Sequence, residues 1–179
     1  YFLTLYANAS DRQGTVRTDS TNVLDRYALA KTRDLVAEMT TSMDAYDLFG
    51  ACQHVRTYLD VLTNWFIRRS RSRFWEGDPE AIDTLHTVLS IFTRLTAPLL
   101  PLVSDAIYAG LNGDGANAAS VHLTDWPSVE DLPADPDLVA SMDLAHDVWS
   151  STFSVRKAHQ RRVRLPLQSV TIPPPHDHR

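Results

Sequence analysis

The chain has 179 residues, of which 44% are hydrophobic and 22% charged, and its formal net charge is −5 at pH 7. This composition is typical of a globular domain and excludes an intrinsically disordered chain. The single cysteine, Cys52, excludes internal disulfides and a cysteine-cluster metal site, and it favours a reducing, cytoplasmic setting. No apolar run approaches the roughly 20 residues that span a bilayer, so no membrane partner is expected.

The N-terminal part predicts a connector followed by a helix. Residues 1–20 begin apolar and become polar, which indicates the end of a helix and then a linker. Asn22 followed by Asp25 resembles a capping box with a short acid. A helical stripe then runs from Leu24 to Met39, and the polar residues 40–44 are expected to interrupt it.

A second helix is predicted from about Asp44 to about Arg71. Its apolar positions alternate spacings of four and three, which places them on one helix face. These positions are Leu48, Cys52, Val55, Leu59, Leu62 and Phe66.

The next helical stretch begins with Asp78 as N-cap and a proline at the first helical position. It runs to a C-cap at Asn112 and Gly113, and two internal prolines, Pro98 and Pro101, are expected to kink or split it.

Residues 112–134 are predicted to form a loop with a short extended piece at residues 120–126.

A last helix is predicted to begin at Asp135 and the following proline. Its apolar stripe comprises Leu138, Met142, Ala145, Trp149 and Phe153. Residues 167–172 alternate like a strand. The predicted fold class is therefore all-α: an antiparallel bundle of four to five helices with a short C-terminal extended strand.

Positive charge is segregated along the chain. Residues 95–155 contain nine acids and no lysine or arginine. The negative net charge of the whole chain therefore does not reveal that its basic residues form two clusters. One cluster comprises Arg68, Arg69, Arg71 and Arg73, and the other comprises Arg156, Lys157, Arg161, Arg162 and Arg164.

The first cluster lies in the basic–aromatic segment, residues 64–75, which reads NWFIRRSRSRFW and holds four arginines and four large aromatic residues. Guanidinium groups bind phosphates and stack on bases, and exposed aromatic rings offer stacking platforms. We therefore expect this segment to bind a single-stranded RNA loop. The alternative is that its arginines pair with acids of the same domain and its tryptophans, Trp65 and Trp75, are buried.

The second cluster lies at the end of the last helix. The helix dipole favours cations there by roughly 0.3–1 kcal/mol each, which accounts for one or two of the five. Phosphate contact is the functional explanation for the rest. In the loop, His122 and Asp125 suggest acid–base chemistry only weakly, because no nucleophile accompanies them, and Trp126 is expected to anchor the loop by packing.

Five stretches, in chain order, resemble the anticodon-binding helical domain of isoleucyl-tRNA synthetase, a class I aminoacyl-tRNA synthetase. They are LDRYALAKTRDLV, LTNWFIRRSRSRFW, TLHTVLSIFTRLTAPLLPLVSDAIYAGL, SVHLTDWP and VRLPL. The segment NWFIRRSRSRFW is the most specific of them. The stretch APLLPLVSDAIY is shared with the valine, leucine and methionine relatives, so a corresponding domain of one of those enzymes is an alternative.

The resemblance implies a fragment with three parts: 1–20 as the end of a connecting helix and a linker from the catalytic region, 21–165 as the anticodon-binding domain, and 166–179 as the start of a C-terminal region. The family signatures HIGH and KMSKS are absent, so no catalytic residue is expected in this sequence. ATP and Mg²⁺, with Zn²⁺ as a further candidate, are implied for the full-length enzyme only.

The partners that the resemblance implies are the tRNA(Ile) anticodon stem-loop and the enzyme's own catalytic and C-terminal regions, with no DNA. A helical docking module without RNA contact is the alternative from another class. The expected tRNA-binding residues are Asn64, Trp65, Arg68, Arg69, Arg71, Arg73, Trp75, Arg161, Arg162 and Arg164.

Overall fold

The structure is a computed structural model, and it describes residues 13–112, 120–162, 165, 166, 168, 169 and 171. Those residues are helical or irregular, which confirms the all-α class, and none of them lies in a strand. Six α-helices are described: α1 (Val23–Asp44), α2 (Leu48–Asp60), α3 (Arg71–Trp75), α4 (Pro79–Thr96), α5 (Pro101–Asn112) and α6 (Pro136–Ala158). A π-helical segment (Val61–Ile67) continues α2, and short 3₁₀ turns lie at Val121–Leu123 and Val129–Asp131.

These residues divide into two compact units, one ending at Pro136 and the other beginning at Asp137. Of the helices described here, none is both long enough and apolar enough to cross a membrane. The predicted C-terminal strand is not seen at positions 168, 169 and 171, and its other positions lie outside the described residues.

Helix α1 starts where the sequence predicts. The side chain of Asn22 accepts a hydrogen bond from the Leu24 N–H, which satisfies one of the unpaired donors of the first turn. The predicted reciprocal half of a capping box is wrong, because the Asn22 N–H donates to Ser20 Oγ at 3.3 Å and Asp25 is buried in another interaction. The helix also continues through residues 40–44, where Thr40 and Thr41 donate to carbonyls one turn earlier.

The second predicted helix is confirmed as α2 and its π-helical continuation, but its buried face differs from the predicted stripe. Three stripe members are buried: Val55, Leu62 and Phe66. The other three are exposed: Leu48, Cys52 and Leu59. Instead, Ala51 and Tyr58 enter the core.

Tyr58 explains the rotation of this face. Its hydroxyl lies 2.6 Å from the hydroxyl of Thr32, and its ring stacks on Phe92 with centroids 5.8 Å apart. Burial raises the pKa of Tyr58 well above its ordinary value, and the hydrogen bond to Thr32 opposes that shift. A tyrosine that satisfies its hydroxyl on α1 therefore takes the buried position that the spacing assigned to Leu59.

Helix α4 begins as predicted, with the Asp78 side chain accepting from the Glu80 N–H and Pro79 at the first helical position. The predicted split is also confirmed: α4 ends at Thr96, and α5 begins at Pro101 after a non-helical break. The predicted cap at Gly113 lies outside the described residues. The extended piece predicted for residues 120–126 is instead a 3₁₀ turn at Val121–Leu123.

The core of the first unit lies where α1 packs on α2 and on α4, and α4 also packs on α5. Its large buried apolar side chains include Leu29, Leu35, Met39, Phe66, Phe74, Ile82, Leu85 and Leu95. The second unit is largely α6, whose aromatic residues Trp149 and Phe153 pack with ring centroids 4.6 Å apart.

Candidate nucleic-acid interface

The basic–aromatic segment is fixed to the protein by two buried phenylalanines. Phe66 lies in the π-helical segment and Phe74 lies in α3, and their rings meet edge to face with centroids 6.3 Å apart. Both side chains are 1% exposed. Of the polar residues between these anchors, Arg68, Arg69 and Arg71 are exposed, whereas Ser70 is buried.

The π-helical segment holds two adjacent aromatic residues, Trp65 and Phe66. Both are buried, with Trp65 only 5% exposed. The guanidinium carbon of Arg69 lies 3.7 Å from the Trp65 ring centroid, which is cation–π distance. The structure therefore places Trp65 in the core with Arg69 over one ring face.

Arg73 lies in an ion-pair network. Its Nη1 and Nη2 donate to the two carboxylate oxygens of Asp25 at 2.6 and 2.8 Å, and its Nε donates to Asp78 at 2.7 Å. Asp25 is fully buried. The alternative of internal pairing therefore holds for Arg73, because the buried Asp25, far earlier in the chain, needs a counter-charge.

This network shifts the pKa values of Arg73 and Asp78. The hydrogen bond to Asp25 raises the pKa of Arg73, burial opposes the rise, and Asp78 adds to it. Burial acts to raise the pKa of Asp78, but the Arg73 hydrogen bond and charge, with the Glu80 N–H, outweigh it and lower that pKa. Arg73 therefore stays charged, and its role in this geometry is to hold α3 against α1.

Three further hydrogen bonds extend the network to the connector before α1. Ser20 Oγ donates to Asp25 at 2.8 Å and lies 3.1 Å from a Glu80 carboxylate oxygen. The other oxygen of Glu80 accepts from Arg17 Nη2 at 3.1 Å. The segment that carries the basic cluster is thus tied to the connector as well as to α1 and α4.

Asn64 is exposed at the start of the basic–aromatic segment. Its amide nitrogen donates to Asp60, one turn earlier, at 2.6 Å. That bond orients the side chain and leaves its carbonyl oxygen as a hydrogen-bond acceptor.

Arg71 and Trp75 are both exposed. Trp75 is 80% exposed, and the described residues offer Arg71 no ion-pair partner. They lie one turn apart and line an open groove of about 480 Å³ together with Ser72 and Glu76. The sequence prediction included Arg71 and Trp75 but missed Ser72 and Glu76. The helical spacing of four between 71 and 75, and between 72 and 76, was the available signal.

The second basic cluster begins in the last turn of α6, which holds Arg156 and Lys157, and continues past the end of that helix. Gln160 has a left-handed φ of 52°, the Arg161 N–H donates to the Arg156 carbonyl at 2.9 Å, and the Gln160 N–H donates to the Lys157 carbonyl at 3.0 Å. This is the Schellman arrangement that ends a helix. Arg161 and Arg162 are exposed beyond it, and Arg164 lies outside the described residues.

In the loop before α6, His122 and Trp126 contact neighbouring helices. His122 Nε2 lies 3.2 Å from the Pro101 carbonyl oxygen, and Trp126 Nε1 donates to Thr40 Oγ1 at 2.9 Å. Trp126 is 38% exposed, so the predicted packing of its ring is wrong, and the loop is tied to α1 by this hydrogen bond instead. Across the described ranges, no three His, Cys, Asp or Glu side chains come together in a way that fits a metal ion.

Comparison with protein families defines the class of the chain. Residues 25–171 match the family described as the anticodon-binding domain of tRNA ligase, and the chain belongs to that family. This confirms the resemblance found in the sequence.

The similar curated proteins are isoleucine–tRNA ligases. The enzyme of Nocardia farcinica is 56% identical over 174 residues, and that of Mycobacterium tuberculosis H37Rv is 54% identical over 171 residues. The Corynebacterium efficiens enzyme is 52% identical over 174 residues. These alignments cover 96–97% of this chain, which spans 16% of the length of each relative.

Proposed function

We propose that this chain is the anticodon-binding domain of an isoleucine–tRNA ligase and that its basic–aromatic segment binds the anticodon stem-loop of tRNA(Ile). Identities of 52–56% to isoleucine enzymes support isoleucine over the valine, leucine and methionine alternatives. At the level of residues, one observation carries the proposal: Arg71, which has no ion-pair partner among the described residues, lies beside a tryptophan ring that is 80% exposed.

In the proposed mechanism, the exposed residues make different kinds of contact with the RNA. Arg68, Arg69 and Arg71 hold backbone phosphates and fix the register of the RNA. Trp75 stacks on a base that is turned out of the loop, and the carbonyl oxygen of Asn64 accepts a hydrogen bond from a base edge. Arg161 and Arg162, with Arg164, are proposed as additional phosphate contacts.

Two of the predicted tRNA-binding residues, the buried Trp65 and the partly buried Arg73, are proposed to hold the exposed arginines in position. Trp65 carries Arg69 on its ring, and Arg73 clamps α3 to Asp25. Their proposed contribution to RNA binding is to position the exposed arginines, and direct RNA contact by either one stays a prediction.

In the whole ligase, this domain would hold the tRNA while isoleucine is activated with ATP and transferred to the tRNA 3′ end elsewhere. ATP and Mg²⁺, with Zn²⁺ as a further candidate, belong to that reaction. The proposed setting is the cytoplasm.

We also infer an antiparallel bundle as the architecture, supported by the packing of α1 on α2 and α4. The proposed domain limits are residues 21–165, between a connector at 1–20 and the start of a C-terminal region at 166–179. The catalytic and C-terminal regions of the ligase are the proposed protein partners.

A docking module without RNA contact is the second candidate, and the internal pairing of Arg73 favours it. That candidate also requires Trp75 to lie in a core, whereas the ring is 80% exposed. It predicts no affinity for the stem-loop.

Binding of a labelled tRNA(Ile) anticodon hairpin, followed by fluorescence anisotropy, tests the proposal. Three phosphate contacts give a slope of log K against log salt of about −2 for a single strand, because each contact contributes about −0.7. Arg71→Ala should weaken binding and reduce the size of that slope by about 0.7.

Arg56→Ala is the matched control, because Arg56 is an exposed arginine of α2 outside the cluster. It should leave both affinity and slope unchanged. Equal effects of the two variants would show that only overall charge matters and would defeat the assignment.

A further inference from the structure

The groove beside Trp75 holds one acid, and an acid is unexpected on a surface that binds a polyanion. Glu76 follows Trp75 directly and lines the groove with Arg71 and Ser72. Its side chain is exposed, and among the described residues no cation forms an ion pair with it. The groove therefore combines a flat ring, a cation and a carboxylate within one helical turn.

An ionised carboxylate only accepts hydrogen bonds, through two oxygens side by side. It therefore pairs best with a base edge that presents two neighbouring N–H donors. The Watson–Crick edge of guanine does so through N1–H and the N2 amino group. Adenine and cytosine each present an acceptor, N1 and N3 respectively, beside the amino group. Uracil has one N–H between two carbonyl oxygens. None of these three edges offers two neighbouring donors.

The same carboxylate disfavours the other bases. A base that presents an acceptor atom to a Glu76 oxygen is repelled. Glu76 also repels phosphates unless hydrogen-bond donors of a base pair with its carboxylate. A neutral groove with the same ring would stack any base, because every base has a π face. The carboxylate thus turns a general stacking platform into one that distinguishes bases.

We propose that the Arg71–Ser72–Trp75–Glu76 groove is a guanine subsite, in which the base stacks on Trp75 and donates from N1 and N2 to Glu76 while Arg71 holds a neighbouring phosphate. This inference rests on the proposed RNA-binding function and adds the chemical identity of the base. The groove volume of about 480 Å³ lies within the about 300–1,000 Å³ of ordinary ligand sites.

Short oligouridines with one central guanosine, inosine or adenosine test the subsite directly. Their affinity for the full chain is measured by anisotropy, and stacking is followed as tryptophan fluorescence quenching that disappears in Trp75→Leu. Guanosine should bind at least about 5-fold more tightly than adenosine, the lower end of what one bidentate base contact provides. Inosine, which lacks the N2 amino group, should fall between them.

Glu76→Gln is the decisive variant, because its amide presents one donor and one acceptor and suits the adenine edge. The guanosine preference should fall to about 1-fold or reverse. Glu38→Gln makes the same change at an exposed acid of α1 and should retain the preference. Thermal melts followed by circular dichroism establish that both variants are folded.

The outcomes separate this inference from the function on which it rests. Equal affinity for guanosine and adenosine, or an unchanged preference in Glu76→Gln, overturns the guanine subsite. If Arg71→Ala still weakens hairpin binding in that case, the proposed RNA-binding function stands. If the hairpin and every oligonucleotide fail to bind, both proposals fall together.

Discussion

Replacing Arg73 by methionine tests the ion-pair network that fixes the basic–aromatic segment. The substitution keeps a long apolar side chain but removes the guanidinium group that pairs with Asp25 and Asp78. Asp25 is fully buried and then keeps the hydroxyl of Ser20 as a hydrogen-bond donor but has lost its counter-charge. A buried carboxylate without a counter-charge is among the most costly defects that a single substitution creates.

The size of the effect follows from the burial of the two partners. The Asp25 side chain is 0% exposed and that of Arg73 is 16% exposed, so solvent compensates little for the lost charge. Removing one partner of a buried pair costs about 3–5 kcal/mol, and the partial exposure of Arg73 favours the lower end, about 3 kcal/mol. For a chain of this size that corresponds to a fall in Tm of about 6–12 °C.

Urea unfolding followed by circular dichroism measures this cost. Arg71→Met is the matched control, since it removes an exposed arginine of the same short helix and should change the stability by no more than about 0.5 kcal/mol. The double variant Asp25→Leu/Arg73→Met should recover most of the loss, because it removes both buried charges. A loss below about 1 kcal/mol in Arg73→Met, or no recovery in the double variant, would refute the role given to this pair.

Three further predictions follow from burial, ionisation and close packing. Trp65→Ala should destabilise the fold by about 3–5 kcal/mol in urea unfolding. Trp75→Ala should keep the stability within about 0.5 kcal/mol yet weaken hairpin binding at least about 5-fold, and the reverse pattern would contradict the assigned burial. Asp78 has a folded-state pKa below its ordinary 3.8, so its stabilising contribution is present above pH 3.8 and is lost as the pH falls through the folded value. Asp78→Asn keeps a good N-cap residue but removes the charge. The difference in free energy of unfolding between wild type and variant should therefore be smaller at pH 3 than at pH 7. A difference that stays constant over this range would be inconsistent with the lowered pKa. Gly14→Ala should cost about 1–3 kcal/mol, since its Cβ would lie 2.6 Å from a neighbouring side-chain atom. Gly110→Ala, with nothing within 4 Å, should stabilise α5 by about 0.5–1 kcal/mol, and equal Tm shifts for the two would argue against the close contact.

Features encoded by neighbouring residues were predictable from the sequence. The cap at Asn22, the cap and proline at Asp78, and the break between α4 and α5 each depend on residues within one turn of each other. Such signals act through local hydrogen bonds and fixed backbone angles, so they favour the same local structure whatever the rest of the fold is.

Features set by distant partners were not predictable in this way. The rotation of α2 depends on Tyr58 meeting Thr32, and the pairing of Arg73 depends on Asp25, 48 positions away. The π-helical segment, which holds the buried Trp65 and Phe66, has no clear local signature. The composition of the basic–aromatic segment therefore indicated its chemistry, while tertiary packing decided which of its residues reach the surface.

Chemical footprinting of full-length tRNA(Ile) by this chain tests the central claim most directly. At low salt, we predict protection of the anticodon loop, which weakens at physiological salt and is strongly reduced in the Arg71→Ala/Trp75→Ala double variant. Protection confined to the acceptor end, or a loop footprint that the double variant leaves unchanged, would contradict the assignment of this surface to the anticodon.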